Sequence, residues 1–434
     1  MPQLAIAGGT PVRSRPFHAW PLQTREQVEA VAQVIQSGRW SRHLLRDPDG
    51  LVATGDPASP WQTDLFEREV AEFIGVSHAL AVSSGTVAMD LVMRALGIGP
   101  GDEVIVPAYA SIGTATCVLE SNAIPVFADI DPHTYTIAPK AIARCITPRT
   151  RAIVVCHVGG RICDMDVIGR LGDERGLAVV EDARHAMGSR RADGRAAGTF
   201  GRASAFSFGP SSILTAGEGG LIVTSDPVLD QQVRVLHDHG LELVECQPRN
   251  VAFGTSARMT ELQAALLRAQ LPRLEGLNER RHANVKYFYE AIQLIGGLEM
   301  TTPPEPEGFR CYRDVILRYE PGAFAGAHRN RFVRALQAEG IPCSCGYDEP
   351  IYATPLFREQ RFLKGSCPVN CCRVGKAPNF AHYKRTCPNA ERAARDEAVW
   401  FPHRLFVGPQ SDVDDILYAI HKLEEHADEL AAED

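Results

Sequence analysis

The stretch "FSFGPSSILTAGEGG", residues 206–220, decides how the rest of the chain is read. Its first residues have the pattern of a short strand, and its glycines that of the turn after it. A strand that ends on a glycine-rich turn is where an α/β sheet receives a cofactor or an anion. Ser207 closes this strand and Ser212 lies in the turn. Both are candidates for the site.

Outward from this stretch, amphipathic helices alternate with short apolar strands from about 60 to 240, the signature of an α/β domain. "LFEREVAEFIG" (65–75) and "VAMDLVMRALG" (87–97) read as helices. "ALAVSSGT" (79–86), "EVIVPAYA" (103–110), "IPVFADID" (124–131), "RAIVVCHVGG" (151–160) and "LAVVEDARHA" (177–186) read as strands with polar residues at their carboxyl ends. "GLIVTSD" is a further strand after the glycine turn. A long helical pattern covers 256–292, and "VDDILYAIHKLEEHADEL" closes the chain. The expected division is a large α/β domain over 1–270, with an N-terminal arm, and a smaller α+β domain over 271–434. Residues 42–62 and 361–387 read as long loops, which in compact proteins are often functional.

Composition narrows the function classes. The net charge of −8 gives no basic footprint for nucleic acid or an anionic membrane. No apolar run approaches the ~18 residues of a membrane span, and the N-terminus lacks the charged start and apolar run of a signal peptide. A cytoplasmic protein is expected. The twelve cysteines are then expected to be free thiols. Six of them, Cys343, Cys345, Cys367, Cys371, Cys372 and Cys387, share one C-terminal stretch. With His382 they present zinc or iron–sulfur ligand types, but the spacing matches no standard finger, and no metal is expected. Lysine is scarce, with six against 39 arginines, and none lies between Lys140 and Lys286.

Four features converge if the strand reading holds. Ser84, Gly85 and Thr86 of "SSGT" end a strand and open a helix, so their backbone N–H groups can cradle a phosphate. Ser207 ends another strand within reach of the same anion. Asp182 closes a buried strand, where an acid needs a cationic partner such as a protonated pyridine nitrogen. His185 follows three residues later. Each alone has an ordinary structural explanation: a helix cap, a solvated acid, a satisfied histidine.

Their combination is more specific. "LAIAGGTPVRSRPF", "SGRWSR", "ALGIGPGDEVIVPAYASIGTA", "IPVFADIDPHTYTI", "DMDVI", "EDARHAMG", "LTAGEGGLIVTSD", "RMTELQAA" and "PIYATPLFR" resemble, in order and nearly end to end, the DegT/StrS family of sugar and cyclitol aminotransferases. These are fold-type I pyridoxal-phosphate enzymes. The resemblance implies a large domain with a mixed, mostly parallel seven-stranded sheet, a smaller C-terminal α+β domain, and a homodimer with shared active sites. By motif, Gly85 and Thr86 would hold the cofactor phosphate with Ser207, Asp182 would pair with the ring nitrogen, and His185 would sit near the ring hydroxyl.

Three positions depart from that pattern. The Schiff-base lysine of the family falls on Ser212, and a hydroxyl cannot form an imine with an aldehyde. The ring-stacking aromatic falls on Ser111, and the asparagine that reaches the partner's phosphate falls on Ser256. A lysine-dependent transaminase is therefore not expected. The favoured expectation is an enzyme of sugar or cyclitol biosynthesis turned to a small phosphorylated, sugar-like or amino substrate without an internal aldimine. Ser212, His185 and Asp182 supply the residue types of nucleophile, base and orienter. Two alternatives stand beside it. One is a dehydratase or aminotransferase using non-covalent pyridoxal or pyridoxamine phosphate. The other is an inactive homologue that partners or regulates an active one, as a heterodimer.

Overall fold

The structure is a computed structural model that describes residues 3–42, 60–244, 247–301, 303–304, 308–362 and 379–432. Seven apolar runs form one sheet: β1 (His78–Val82), β2 (Glu103–Pro107), β3 (Ile124–Ala128), β4 (Thr150–Cys156), β5 (Ala178–Asp182), β6 (Ala203–Ser207) and β7 (Gly220–Thr224). Their order is β1-β7-β6-β5-β4-β2-β3. Strands β2 to β6 pair in parallel, whereas β7 is antiparallel to both β6 and β1. The sheet is therefore mixed and mostly parallel, as the resemblance implies.

The strands read as unbroken apolar runs because helices cover both faces. Val104, Val106, Val154 and Val180 pack on one side with Met89, Val92 and Val118. Ile105, Ile153 and Val155 pack on the other with Ile142 and Ile168. Register then sets the site. Cys156 pairs with Asp182, Asp182 with Ala205, and both Ser207 and Val82 with Gly220. The carboxyl ends of β1, β4, β5 and β6 thus share one rim with the first residue of β7. Gly220 has to be glycine there, since a Cβ would lie 2.3 Å from the Ser84 carbonyl oxygen.

After β7 comes an antiparallel hairpin, β8 (Leu241–Val244) with β9 (Gln247–Asn250), whose second strand is wholly exposed. The helix Glu261–Ile292 follows, started by a Thr260–Gln263 capping box. It runs unbroken through 270/271, where the sequence pattern divides the chain. Beyond it, β10 (Leu298–Met300), β11 (Asp314–Tyr319) and β12 (Ala398–Pro402) form an antiparallel sheet. Phe288, Phe332, Phe401 and Phe406 fill the core between this sheet and its helices. Residues 43–59 and 363–378, most of the two expected long loops, lie outside the described residues. No helix among the described residues is long and apolar enough to cross a membrane.

Candidate active site

The rim begins at the helix Gly85–Ala95. Ser84 is its N-cap, with its hydroxyl accepting from Val87 N–H at 3.2 Å. Gly85 is buried against β6, where a Cβ would lie 2.7 Å from the Ser207 Cβ. Ser207 Oγ accepts from Gly209 N–H at 3.4 Å. Ser84, Gly85, Thr86 and Ser207 are thus brought together at the helix N-terminus, where the dipole favours an anion.

Asp182 is fully buried at the end of β5, and its partner is a residue of its own chain. Arg184 grips both carboxylate oxygens: Nε donates to Oδ1 at 2.7 Å and Nη2 donates to Oδ2. Thr114 closes the group, with its hydroxyl donating to Asp182 Oδ2 at 2.8 Å and accepting from Arg184 Nη2 at 3.0 Å. Burial acts to raise the Asp182 pKa, but the guanidinium and the threonine hydroxyl outweigh it and hold the carboxyl below its ordinary range. Burial likewise opposes the charge on Arg184, and Asp182 more than restores it. The pair is ionised and bidentate. Two glycines make room for it. A Cβ at Gly85 would lie 3.1 Å from Arg184 Cδ, and one at Gly113 would lie 3.1 Å from Nη1.

Above this pair lies a cavity of about 370 Å³ lined by Ser111, Arg184, His185, Ser207, Ser212 and Arg313, together with Asp314, Ser344, Tyr347 and Trp400. Among the described residues, no lysine lines it. Arg313 reaches Asp314 through Nη1 and the Ser211 hydroxyl, at 2.5 Å, through Nη2. Burial pushes the Asp314 carboxyl up to about 6, against the opposing pull of Arg313. His185 Nδ1 accepts from Gly159 N–H at 3.4 Å and stands 3.8 Å from Asp314 Oδ2. Burial, reinforced by Arg313, drops the His185 pKa well below the usual imidazole value, so its ring is neutral at physiological pH. Tyr347 and Trp400 stack edge to face, centroids 5.1 Å apart, as an aromatic wall.

Ser111, His185, Ser207 and Ser212 therefore share one cavity. The nucleophile–base–orienter line is not formed, because no hydrogen bond joins His185 to Asp182 or to Ser212. Asp182 is committed to Arg184 and Thr114, and His185 faces Gly159 and Asp314. Ser212 is tied down through its backbone, its carbonyl accepting from Trp20 Nε1 at 3.1 Å. Ser256 is exposed beside Asp238 and does not line the cavity of its own chain. Cys343, Cys345 and Cys387 are separate thiols directed at the Val333 carbonyl, Asn330 and the Phe127 carbonyl. Cys367, Cys371 and Cys372 lie outside the described residues, among which no group of ligands is arranged for a metal.

Sequence reasoning passed over Arg184, although it stands between the two residues chosen from "EDARHA". A charged side chain at the inner end of a buried strand was the available signal, since such a charge needs a partner nearby. It also passed over Arg313 and Asp314, where "CYRDVILRY" sets an opposite-charge pair at the mouth of an apolar strand. Tyr347 and Trp400 come to the cavity by tertiary packing alone.

A seven-stranded sheet of this order has counterparts among known proteins. Residues 58–404 match the model of the DegT/DnrJ/EryC1/StrS aminotransferase family. The chain belongs to that family. It is 34% identical over 436 residues to an L-glutamine:2-deoxy-scyllo-inosose aminotransferase of Streptomyces paromomycinus, covering 98% of each. It superposes on 3-amino-5-hydroxybenzoic acid synthase with a TM-score of 0.79 at 26% identity, covering 95% of this chain and 99% of the other. Against S. venezuelae DesV, solved in complex with a ketimine intermediate, the TM-score is 0.75 at 31% identity, covering 93% and 94%.

The family and fold are those of pyridoxal-phosphate-dependent aminotransferases. In this member the residues suit the phosphate end of that cofactor and not its ring. Ser84, Gly85, Thr86 and Ser207 lie together at a helix N-terminus, where a phosphate would find backbone N–H donors. The span from there to Asp182, however, is taken by the Arg184 side chain, and both Asp182 oxygens are already paired. Ser212 offers no amine at the cavity wall.

Proposed function

We propose that this chain acts on a small polyhydroxylated ring, a cyclitol or sugar derivative, in a reaction that uses no lysine-bound aldimine. The observation that carries the reading is the cavity lining, in which Ser212 and four other serines stand with two arginines and, among the described residues, no lysine. Hydroxyls both donate and accept, so a serine-rich wall pairs with a polyol more readily than with an apolar ligand. Tyr347 and Trp400 offer an aromatic face to the C–H side of a ring. The Arg184 and Arg313 guanidiniums supply donors to an oxygen acceptor such as a ketone or carboxylate. The S. paromomycinus relative is named for 2-deoxy-scyllo-inosose, a compound of this class.

Proton transfer falls to Asp314 and His185. A carboxyl with its pKa near 6 beside a neutral imidazole can give or take a proton close to neutral pH. Ser212 binds and orients substrate by its hydroxyl, since no base among the described residues is hydrogen-bonded to it to make it a nucleophile. The working unit is a homodimer. The wholly exposed strand β9 and Phe253, 91% exposed, support this assembly, as does Ser256, which does not line its own chain's cavity.

The test combines titration of wild-type protein with 2-deoxy-scyllo-inosose and its amino derivative, by calorimetry, with mass spectrometry of the products. Binding and conversion are expected, with conversion lost in Asp314→Asn. Glutamine-dependent amination with a borohydride-reducible pyridoxal phosphate adduct would sink the reading. Failure to bind either compound would replace it with the non-catalytic partner.

A further inference from the structure

We infer that Arg184 is a resident cation standing in the place of the cofactor ring, so that this cavity admits substrate and rejects pyridoxal and pyridoxamine phosphate alike. The inference deepens the function proposed above and rests on it for what the cavity binds instead. Four observations lead to it. The side chain runs from Gly85 to Asp182, linking the anion cradle to the buried acid, as the contacts at Gly85, Gly113 and Thr114 trace. Among the described residues, every hydrogen bond that the Asp182 carboxylate accepts comes from Arg184 or Thr114. The trough is shaped for this occupant, since a methyl at Gly113 would crowd Nη1 and also lie 2.8 Å from Thr86 Oγ1. Finally, the surface left above the guanidinium carries hydroxyls where a flat pyridine would need a stacking face, Ser111 among them.

A pyridinium nitrogen and a guanidinium are alternative partners for one carboxylate. For the ring to enter, Arg184 would have to release a buried bidentate pair and then remain as a second cation beside the first. Nη1 makes no hydrogen bond among the described residues and lies beside Gly113, on a side chain that lines the cavity. It is the donor left over for an oxygen of the substrate.

Pyridoxamine phosphate separates this inference from the one it rests on. It carries the ring and phosphate but no aldehyde, so it probes the slot without any Schiff base. Its binding to full-length wild type, Arg184→Ala and Arg184→Ala/Asp182→Asn is measured by equilibrium dialysis, with thermal unfolding alongside. Wild type is expected to show no saturable binding and no rise in Tm. Arg184→Ala should bind at least ~10-fold more tightly, and removing Asp182 as well should abolish the gain. Saturable binding to wild type that Arg184→Ala leaves unchanged or weakens would overturn the inference. Should Arg184→Ala not fold, wild type alone decides, since a saturable ligand-dependent rise in its Tm is the overturning result. Borohydride trapping with pyridoxal phosphate reads the other question, whether a lysine serves.

Discussion

At the scale of single residues, the Asp182–Arg184 pair organises the site. Asp182 is wholly withdrawn from water and Arg184 largely so, and removing either one strands the other. Asp182→Asn should destabilise the chain by about 3 kcal/mol, whereas Asp182→Asn/Arg184→Gln should cost clearly less than the sum of the two single changes. Urea unfolding of the four proteins measures that coupling, and additivity would mean the pair is not formed. Asp314 responds to pH in the opposite sense. Its folded pKa, about 6, lies above the ordinary value of about 4, so the folded state holds its proton more tightly than the unfolded one. Its contribution is therefore present at low pH and lost as pH rises from about 4 through 6, on the order of 2–3 kcal/mol if no other group responds. Asp314→Asn should flatten the pH dependence of stability across that window, as denaturation at about pH 4.5 and 7.5 would show. Asp182 and His185 were legible as residues at the carboxyl end of a buried strand, because the apolar run before them ends there. Their hydrogen-bond partners were not, because Arg184 and Asp314 bond according to side-chain direction, which spacing does not encode.

At the scale of elements, the site depends on how closely the helix Gly85–Ala95 approaches β6 and β7. Ser84→Ala removes its N-cap and should cost about 1 kcal/mol, seen as a lower urea midpoint. Gly220→Ala should be much worse, since its Cβ would collide with the Ser84 carbonyl carbon and oxygen, backbone that cannot step aside. The expected outcome is loss of soluble protein, and a well-folded Gly220→Ala would contradict this register. Strands and long helices were readable because apolar runs of five residues and heptad-like stripes persist through sequence. The helix Glu261–Ile292 was legible as one long pattern despite Pro272 within it, because its apolar positions pack against both hydrophobic clusters and outweigh a local breaker. The β8–β9 hairpin escaped, since it carries no apolar alternation to announce it, having one strand fully exposed.

At the scale of the whole molecule, the chain keeps the architecture of its family, and the proposed difference lies in the chemistry carried on it. Fold and family were legible together, because the motifs follow one another along the chain in the order the family has them, and the sheet then gathers their strand ends on one rim. The Arg184–Asp182 pairing was not legible, since Ser111 and Ser212 were read by what they replace in the family pattern and side-chain direction is not written in the spacing of "EDARHA". Assembly is the remaining expectation at this scale. Sedimentation should give a dimer, and Phe253→Asp should shift it toward monomer while leaving the cavity's own residues untouched. The decisive experiment is covalent. Wild-type protein is incubated with pyridoxal phosphate, reduced with borohydride and mapped by peptide mass spectrometry, with Ser212→Lys/Arg184→Ala as the positive control. A stoichiometric pyridoxyl group is expected at position 212 of the control variant and none in wild type. A stoichiometric adduct on any of the six native lysines of wild type, lost in Asp182→Asn, would contradict the absence of a lysine-bound cofactor.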